Sequence, residues 1–202
     1  MRILLVVPHF FKQESMGAYG SVRTPRHVRQ EAIRECIISI QTQFGAGQRL
    51  LNRSNRTADG RKPVPQLMPS NGIFGGHVDI VVVMIDGSEC VTDSGIPQHF
   101  YRPYYVDCLP ENIGFKCHEL LSAAAGSYDI YGYAEDDLAI WDPMFFMKVA
   151  WFVSEQSCDA LLLPNRFEID INEPVSKLYI DRSAAADLPS GSRSPENRDR
   201  LC

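Results

Sequence analysis

The segment YDIYGYAEDD, residues 128–137, joins a short apolar run to three consecutive carboxylates. We predict a strand over residues 128–134 that delivers Glu135, Asp136 and Asp137 at its C-terminal end. Because side chains alternate along a strand, Glu135 and Asp137 should face one side and Asp136 the other. Three adjacent carboxylates repel one another unless a divalent cation or solvent screens them. The segment therefore predicts a polar site at the edge of a sheet.

Two further apolar runs, residues 3–7 and 78–85, predict strands of the same sheet. Such continuous runs are typical of parallel strands that are buried on both faces. The second run ends at Asp86, which places another polar residue at the end of a strand. Apolar residues recur at helical spacing over residues 27–44 and 115–125. Alternating strands and helices predict an α/β, Rossmann-like fold with a mostly parallel sheet flanked by helices.

The rest of the chain predicts one main domain over residues 1–181 with two irregular regions. A polar stretch at about 47–76 has few large apolar residues, so we predict a surface insertion there. Pro143 suits the first turn of an apolar helix, and residues 160–163 predict one more buried strand. Residues 182–202 are rich in Ser, Pro and Arg without apolar periodicity, which predicts a mobile or abnormal tail.

The composition and net charge argue against nucleic acid as a partner. The 202 residues are 45% hydrophobic and 22% charged, as in an ordinary globular protein, and the formal net charge is −5. This charge provides no general attraction for nucleic acid, so any phosphate must be held by a local site. The first apolar run is too short for a signal peptide or a membrane span, and the six cysteines lack C-x-x-C spacing. We therefore expect a cytoplasmic protein with free thiols and no transmembrane segment.

Five motifs follow one another in an order that resembles the GT-A glycosyltransferases, especially their family 2 group. They are Pro8-His9-Phe10-Phe11, residues 81–88, Glu111-Asn112-Ile113-Gly114, Gly126-Ser127-Tyr128-Asp129 and Glu135-Asp136-Asp137. They resemble the family's V-x-P-x-[YF], V-V-V-D-D-G-S, N-x-G, G-D-Y and D-x-D motifs. The resemblance covers residues 1–44 and 78–168, and it implies the GT-A form of the α/β fold.

The acidic triplet is the predicted metal centre. Mg²⁺ and Mn²⁺ prefer oxygen ligands and commonly bind one or two carboxylates together with substrate phosphates. We therefore expect Glu135 and Asp137 to hold Mn²⁺ or Mg²⁺ at the diphosphate, with Asp136 in the same centre. The resemblance implies that Asp137 is the direct metal ligand and that it serves catalysis. The alternative is a solvated turn that caps the next helix.

The resemblance also implies a nucleotide pocket. In it Asp86 faces the base, while Asn112 and Gly114 shape the pocket. Pro8 and His9, at the end of the first predicted strand, are candidate nucleotide contacts. For His9 the alternative is a hydrogen-bonded structural histidine.

Other side chains have two interpretations each. Arg23, Arg26 and Arg29 are candidates for phosphate binding, because guanidinium pairs with phosphate through two hydrogen bonds, or they form a solvated helix start. Glu168 is a candidate acceptor-side catalytic carboxylate, or part of a surface loop. Five aromatic residues are candidates for stacking on sugar. The alternative, which their helical spacing favours, is a place in the core. They are Trp141, Phe145, Phe146, Trp151 and Phe152.

These motifs predict a glycosyltransferase that moves a sugar from a nucleotide-sugar donor, a UDP-sugar above all, to an acceptor hydroxyl. In the family the acceptor half extends well beyond residue 181, so we expect an incomplete C-terminal half here. One alternative is therefore a non-catalytic nucleotide-sugar-binding remnant. Residues 1–11 also resemble the start of the metal-independent GT-B transferases, which is a further alternative.

Overall fold

A computed structural model describes residues 1–12, 24–51, 67–69, 76–155, 162, 164–169 and 178–179. The chain forms two compact units, Met1–Met147 and Lys148–Cys202. The helices and strands are, in chain order, β1 (Arg2–His9), α1 (Arg26–Phe44), β2 (Arg49–Leu51), β3 (Leu67–Pro69), β4 (His77–Met84), β5 (Arg102–Tyr105), α2 (Ile113–Ala123), β6 (Ile130–Tyr133), α3 (Phe145–Glu155), β7 (Phe167–Glu168) and β8 (Leu178–Tyr179).

Among the described residues, four parallel strands form the main sheet of the first unit, in the order β5, β4, β1, β6. β1 lies inside the sheet and pairs with β4 along its whole length, so that His9 stands opposite Met84. On its other side β1 pairs with β6, where Val6 stands opposite Tyr133. The predicted mostly parallel α/β sheet with flanking helices is confirmed.

Two hydrophobic cores lie on the two faces of this sheet. Because side chains alternate along β1, Ile3, Leu5 and Val7 pack with the buried side of α1. Leu4 and Val6 pack on the opposite face with the buried side of α2. Both sides of β1 are thus covered, which explains why its sequence is continuously apolar.

The order of the strands creates a switch point between β1 and β6. The chain passes from β1 through α1 to β4 in one direction, and from β5 through α2 to β6 in the other. Right-handed crossovers in opposite directions place the two helices on opposite faces. The crevice outside the carboxyl ends of β1 and β6 is where such sheets bind ligands.

The helices predicted over residues 27–44 and 115–125 agree with α1 and α2 to within two residues at each end. α3 begins at Phe145, after a turn at Pro143 in which Asp142 Oδ1 accepts a hydrogen bond from the backbone nitrogen of Met144 at 2.9 Å. The sequence did not predict β5, whose Arg-Pro-Tyr-Tyr segment is exposed along its length. β5 is the outermost described strand on its side, a position in which proline is tolerated.

Several predictions fall largely outside the described residues. These are most of the polar insertion at 47–76, the strand at 160–163, the domain boundary at 181 and the tail at 182–202. The described ends of the insertion form the antiparallel pair of β2 and β3, which was not predicted. In the second unit β7 pairs with β8 in antiparallel fashion.

Within the described part of the chain, no helix has the length and apolar character needed to span a membrane.

Candidate functional site

The carboxyl edge of the main sheet gathers the predicted site residues of the first unit. His9 ends β1, Asp86 lies just beyond β4, Asn112 precedes α2 after β5, and Glu135 lies just beyond β6. Parallel strands end at the same edge, so the topology brings these residues to one side of the sheet. Open parallel sheets bind ligands at the switch point, which here lies between the strand ends that carry His9 and Glu135.

A buried histidine–aspartate contact lies at this switch point, on the α1 side of the sheet. His9 Nδ1 lies 2.5 Å from Asp136 Oδ2, and the two residues are only 1% and 7% exposed. The backbone nitrogen of Cys90 donates a hydrogen bond to His9 Nε2 at 3.2 Å. Since Nε2 accepts this hydrogen bond, the ring proton is on Nδ1, and Nδ1 donates a hydrogen bond to the Asp136 carboxylate. His9 therefore joins the loop after β4 to the acidic turn after β6.

Arg29, in the first turns of α1, supplies the positive charge of this cluster. Its Nη2 donates a hydrogen bond to Asp136 Oδ2, and its Nη1 lies 3.8 Å from Asp137 Oδ2. The Arg29 side chain is 12% exposed. Burial alone would raise the pKa of Asp136, but the hydrogen bond from His9 and the charge of Arg29 outweigh burial and lower it. Asp136 is thus held as a carboxylate.

Glu135 and Asp137 differ from Asp136 in being exposed. The Asp137 side chain is 52% exposed, against 9% for Asp136. β6 ends at Tyr133 and a turn follows at Asp136 and Asp137, so this difference in exposure comes from the contacts of Asp136 with His9 and Arg29 and not from alternation along a strand. In the described residues no group of three or more His, Cys, Asp or Glu side chains is arranged to hold a metal ion. Two exposed carboxylates fit a cation that takes its remaining ligands from phosphate and water.

An aromatic pair lies between β6 and α2 at the same edge of the sheet. Tyr133, the last residue of β6, stacks on His118 of α2 with ring centroids 5.7 Å apart and an interplanar angle of 16°. Its hydroxyl lies against Gly114, 3.7 Å from where a Cβ atom would be. Burial, and then the charges of Cys117, Glu135 and Asp136, raises the pKa of Tyr133. This ring was not singled out from the sequence, although it lies two residues before the acidic triplet.

The loop after β4 presents Asp86 to solvent in a tight turn. Gly87 has a positive φ of 68°, and the backbone nitrogen of Ser88 donates to the carbonyl of Ile85 at 3.0 Å. Ser88 in turn accepts a hydrogen bond from the backbone nitrogen of Phe11, also at 3.0 Å. The loops after β1 and β4 are thus connected. Asp86 is exposed at the edge where the resemblance places the nucleotide base.

Of the three basic candidates, Arg26 and Arg29 have partners within the structure. Arg26 Nη2 bonds to Asp93 Oδ2 at 2.6 Å, and its guanidinium carbon lies 5.6 Å from the centre of the Phe11 ring. The Arg29 side chain is only 12% exposed and lies against the acidic turn, so the interpretation as a solvated helix start is wrong for it. Arg23 lies outside the described residues.

The five aromatic candidates differ in how far they are buried. Phe146 is 3% exposed and packs edge-on against Phe44, and Phe145 packs partly buried against the same core, which confirms the core interpretation for both. Trp141 and Trp151 are 57% and 61% exposed, so a core position is wrong for these two. Phe152 is half-buried.

Glu168 lies in β7 of the second unit and is exposed. Its role as an acceptor-side carboxylate stays a prediction.

Comparison with protein-family models, with curated proteins and with solved structures gave no match. The functional proposal therefore depends on the geometry and chemistry of the site.

Proposed function

We propose that this chain is the nucleotide-sugar-binding part of a metal-dependent glycosyltransferase with GT-A architecture. One observation carries the proposal: the acidic triplet is divided at the switch point of the sheet. Asp136 is buried against His9 and Arg29, whereas Glu135 and Asp137 remain exposed at the same edge as the other candidate nucleotide contacts. Such a crevice is the usual ligand position in an open parallel sheet.

The charges of the triplet favour a divalent cation. Arg29 contacts both Asp136 and Asp137, but its one positive charge offsets only one of the three carboxylates. Net negative charge therefore remains at the exposed Glu135 and Asp137. A diphosphate adds further negative charge, so it binds beside these carboxylates only when a cation offsets the repulsion. Glu135 and Asp137 would hold Mn²⁺ or Mg²⁺, which when bound supplies charge stabilisation for the departing diphosphate.

The chain's own residues position the donor. His9, Arg29 and Asp136 hold the acidic turn in place, so the two outer carboxylates need not reorganise when ligand binds. Asp86 and Asn112 extend from neighbouring loops of the same edge towards the nucleoside. The acceptor hydroxyl then attacks the anomeric carbon, and a general base removes its proton.

Thermal unfolding with a panel of nucleoside diphosphates tests the proposal. A ligand that binds the folded state stabilises it, by about 2.7 kcal/mol when its concentration is 100 times Kd. We expect UDP to raise the unfolding temperature with Mn²⁺ or Mg²⁺ and to have no effect in excess chelator. Equal stabilisation with chelator would contradict metal dependence and favour a GT-B-like site. A UDP-sugar that binds with metal but is neither transferred nor hydrolysed would identify a non-catalytic remnant.

A further inference from the structure

Tyr133 presents an aromatic surface beside the acidic turn. Its side chain is on the α2 face of the sheet, because it stands opposite Val6, which packs with α2. The ring is supported by His118 through a nearly parallel stack, yet Tyr133 remains 45% exposed. Tyr133 is therefore held in place on one side and open to a ligand on another.

Glu135 follows Tyr133 by two residues, just beyond the end of β6, and is exposed. Asp136, by contrast, turns to the α1 side, where it contacts His9 and Arg29. The aromatic ring thus lies within two residues of the first exposed carboxylate at the carboxyl end of β6.

The first turn of α2 borders this ring. A Cβ atom at Gly114 would lie 3.7 Å from the Tyr133 hydroxyl, which is an ordinary van der Waals distance. The hydroxyl end of Tyr133 therefore lies beside Gly114, one of the candidate nucleotide contacts. A planar group that stacks on the exposed part of the ring would lie close to both Gly114 and the acidic turn.

We propose that Tyr133 recognises the donor by stacking on its nucleobase, an inference that depends on the proposed nucleotide-sugar site. A base stacks on a tyrosine ring whatever its hydrogen-bonding edge, so Tyr133 contributes affinity for the nucleoside and not for the phosphates. The diphosphate extends from the base towards Glu135 and Asp137.

The test compares two ligands in the presence of Mg²⁺: UDP, which carries a base, and inorganic pyrophosphate, which does not. Their affinities are measured by titration calorimetry for the native protein, Tyr133→Phe and Tyr133→Ala. Tyr104→Ala is the matched control, because Tyr104 is an equally exposed tyrosine, 47% exposed, on β5 at the opposite edge of the sheet. Far-UV circular dichroism verifies that each variant is folded.

We expect Tyr133→Ala to weaken UDP binding about tenfold or more, within the range of base stacking on aromatic side chains, and to leave pyrophosphate binding unchanged. Tyr133→Phe, which keeps the ring, and Tyr104→Ala should bind UDP like the native protein. Unchanged UDP affinity in Tyr133→Ala overturns the inference alone, as does an equal loss for UDP and pyrophosphate, which would show a structural role. If the native protein binds neither ligand with Mg²⁺ or Mn²⁺, the proposed function fails and this inference fails with it.

Discussion

The Nδ1 atom of His9 and the Oδ2 atom of Asp136 lie 2.5 Å apart across the switch point of the sheet, although the two residues are 127 positions apart in the chain. This contact gives His9 a structural role, one of the two interpretations that its position in the sequence allowed. It also distinguishes Asp136 from its two neighbours, Glu135 and Asp137. Asp136 supports the turn, and Glu135 and Asp137 remain available to a ligand.

Asp136→Asn should destabilise the protein strongly. The change removes the nearer of the two carboxylates at Arg29, whose guanidinium is mostly buried, and loss of one partner of a buried ion pair costs about 3–5 kcal/mol. Chemical denaturation followed by circular dichroism measures the free energy of unfolding. A loss below about 1 kcal/mol would show that solvent replaces Asp136 at the guanidinium.

Asp137→Asn, unlike Asp136→Asn, should leave the stability of the protein almost unchanged. Its side chain is 52% exposed and makes only a 3.8 Å contact with Arg29, so stability should change by less than about 0.5 kcal/mol. If Asp137 is a metal ligand, the variant should lose metal-dependent UDP binding. The two measurements on one variant separate a ligand from a capping residue, since a lost cap costs roughly 0.5–2 kcal/mol and leaves UDP affinity intact.

Asp86→Ala should weaken nucleotide binding without loss of folding. Asp86 is exposed in the turn after β4, and a hydrogen bond to a charged group contributes about 1.5–3 kcal/mol, so UDP affinity should fall about tenfold or more. Calorimetric titration measures this affinity. Asp107→Ala, another exposed aspartate just beyond a strand of the same sheet, is the control. Equal effects in the two variants would indicate a general charge effect.

Glu89 should contribute to the pH dependence of stability. Its carboxylate accepts hydrogen bonds from Val91 N at 2.6 Å and Thr92 Oγ1 at 2.7 Å. Burial would raise the pKa of Glu89, but these bonds outweigh burial and lower it. Since the folded state has the lower pKa, the contribution is present above the unfolded value of about 4.3 and is lost as pH falls through the folded value.

Glu89→Gln should therefore lower stability at pH 7 and flatten its decline below about pH 4.3, relative to the native protein. Urea denaturation at a series of pH values measures both effects. Glu119→Gln is the control, because Glu119 makes only an exposed pair with Lys116. A native-like acid profile for Glu89→Gln would show that the turn after β4 does not depend on the ionised carboxylate.

Three buried thiols should resist alkylation at pH 7.5. Burial raises the pKa of Cys36 and Cys117 to about 12 and that of Cys90 to about 11, and the thiolate is the reactive form. Cys108 is only half-buried, so it should react with iodoacetamide before these three. Peptide mapping by mass spectrometry gives the order. Early modification of Cys90 would mean that the loop beside His9 opens readily in solution.

The local pattern of the sequence was sufficient to predict β1, β4 and the flanking helices. Residues 3–7 are apolar without interruption and residues 78–85 are interrupted only by Asp79. Such nearly continuous apolar runs are typical of strands that are covered on both faces. β5 was missed because Arg102–Tyr105 is exposed and contains proline. Its pairing with β4 comes from backbone hydrogen bonds, which leave no apolar pattern in the sequence.

The sequence by itself determined the α/β sheet and the place of the acidic triplet at a strand end, because alternation and hydrophobic periodicity are local properties of the chain. Only the tertiary structure decided how the triplet is divided. Whether Asp136 meets His9 and Arg29 depends on β6 lying beside β1 and on α1 covering that face. The exposure of Trp141 also depends on the tertiary structure. An apolar residue at helical spacing is buried only if another element packs over it, and an ion pair forms only between groups that the order of the strands brings together.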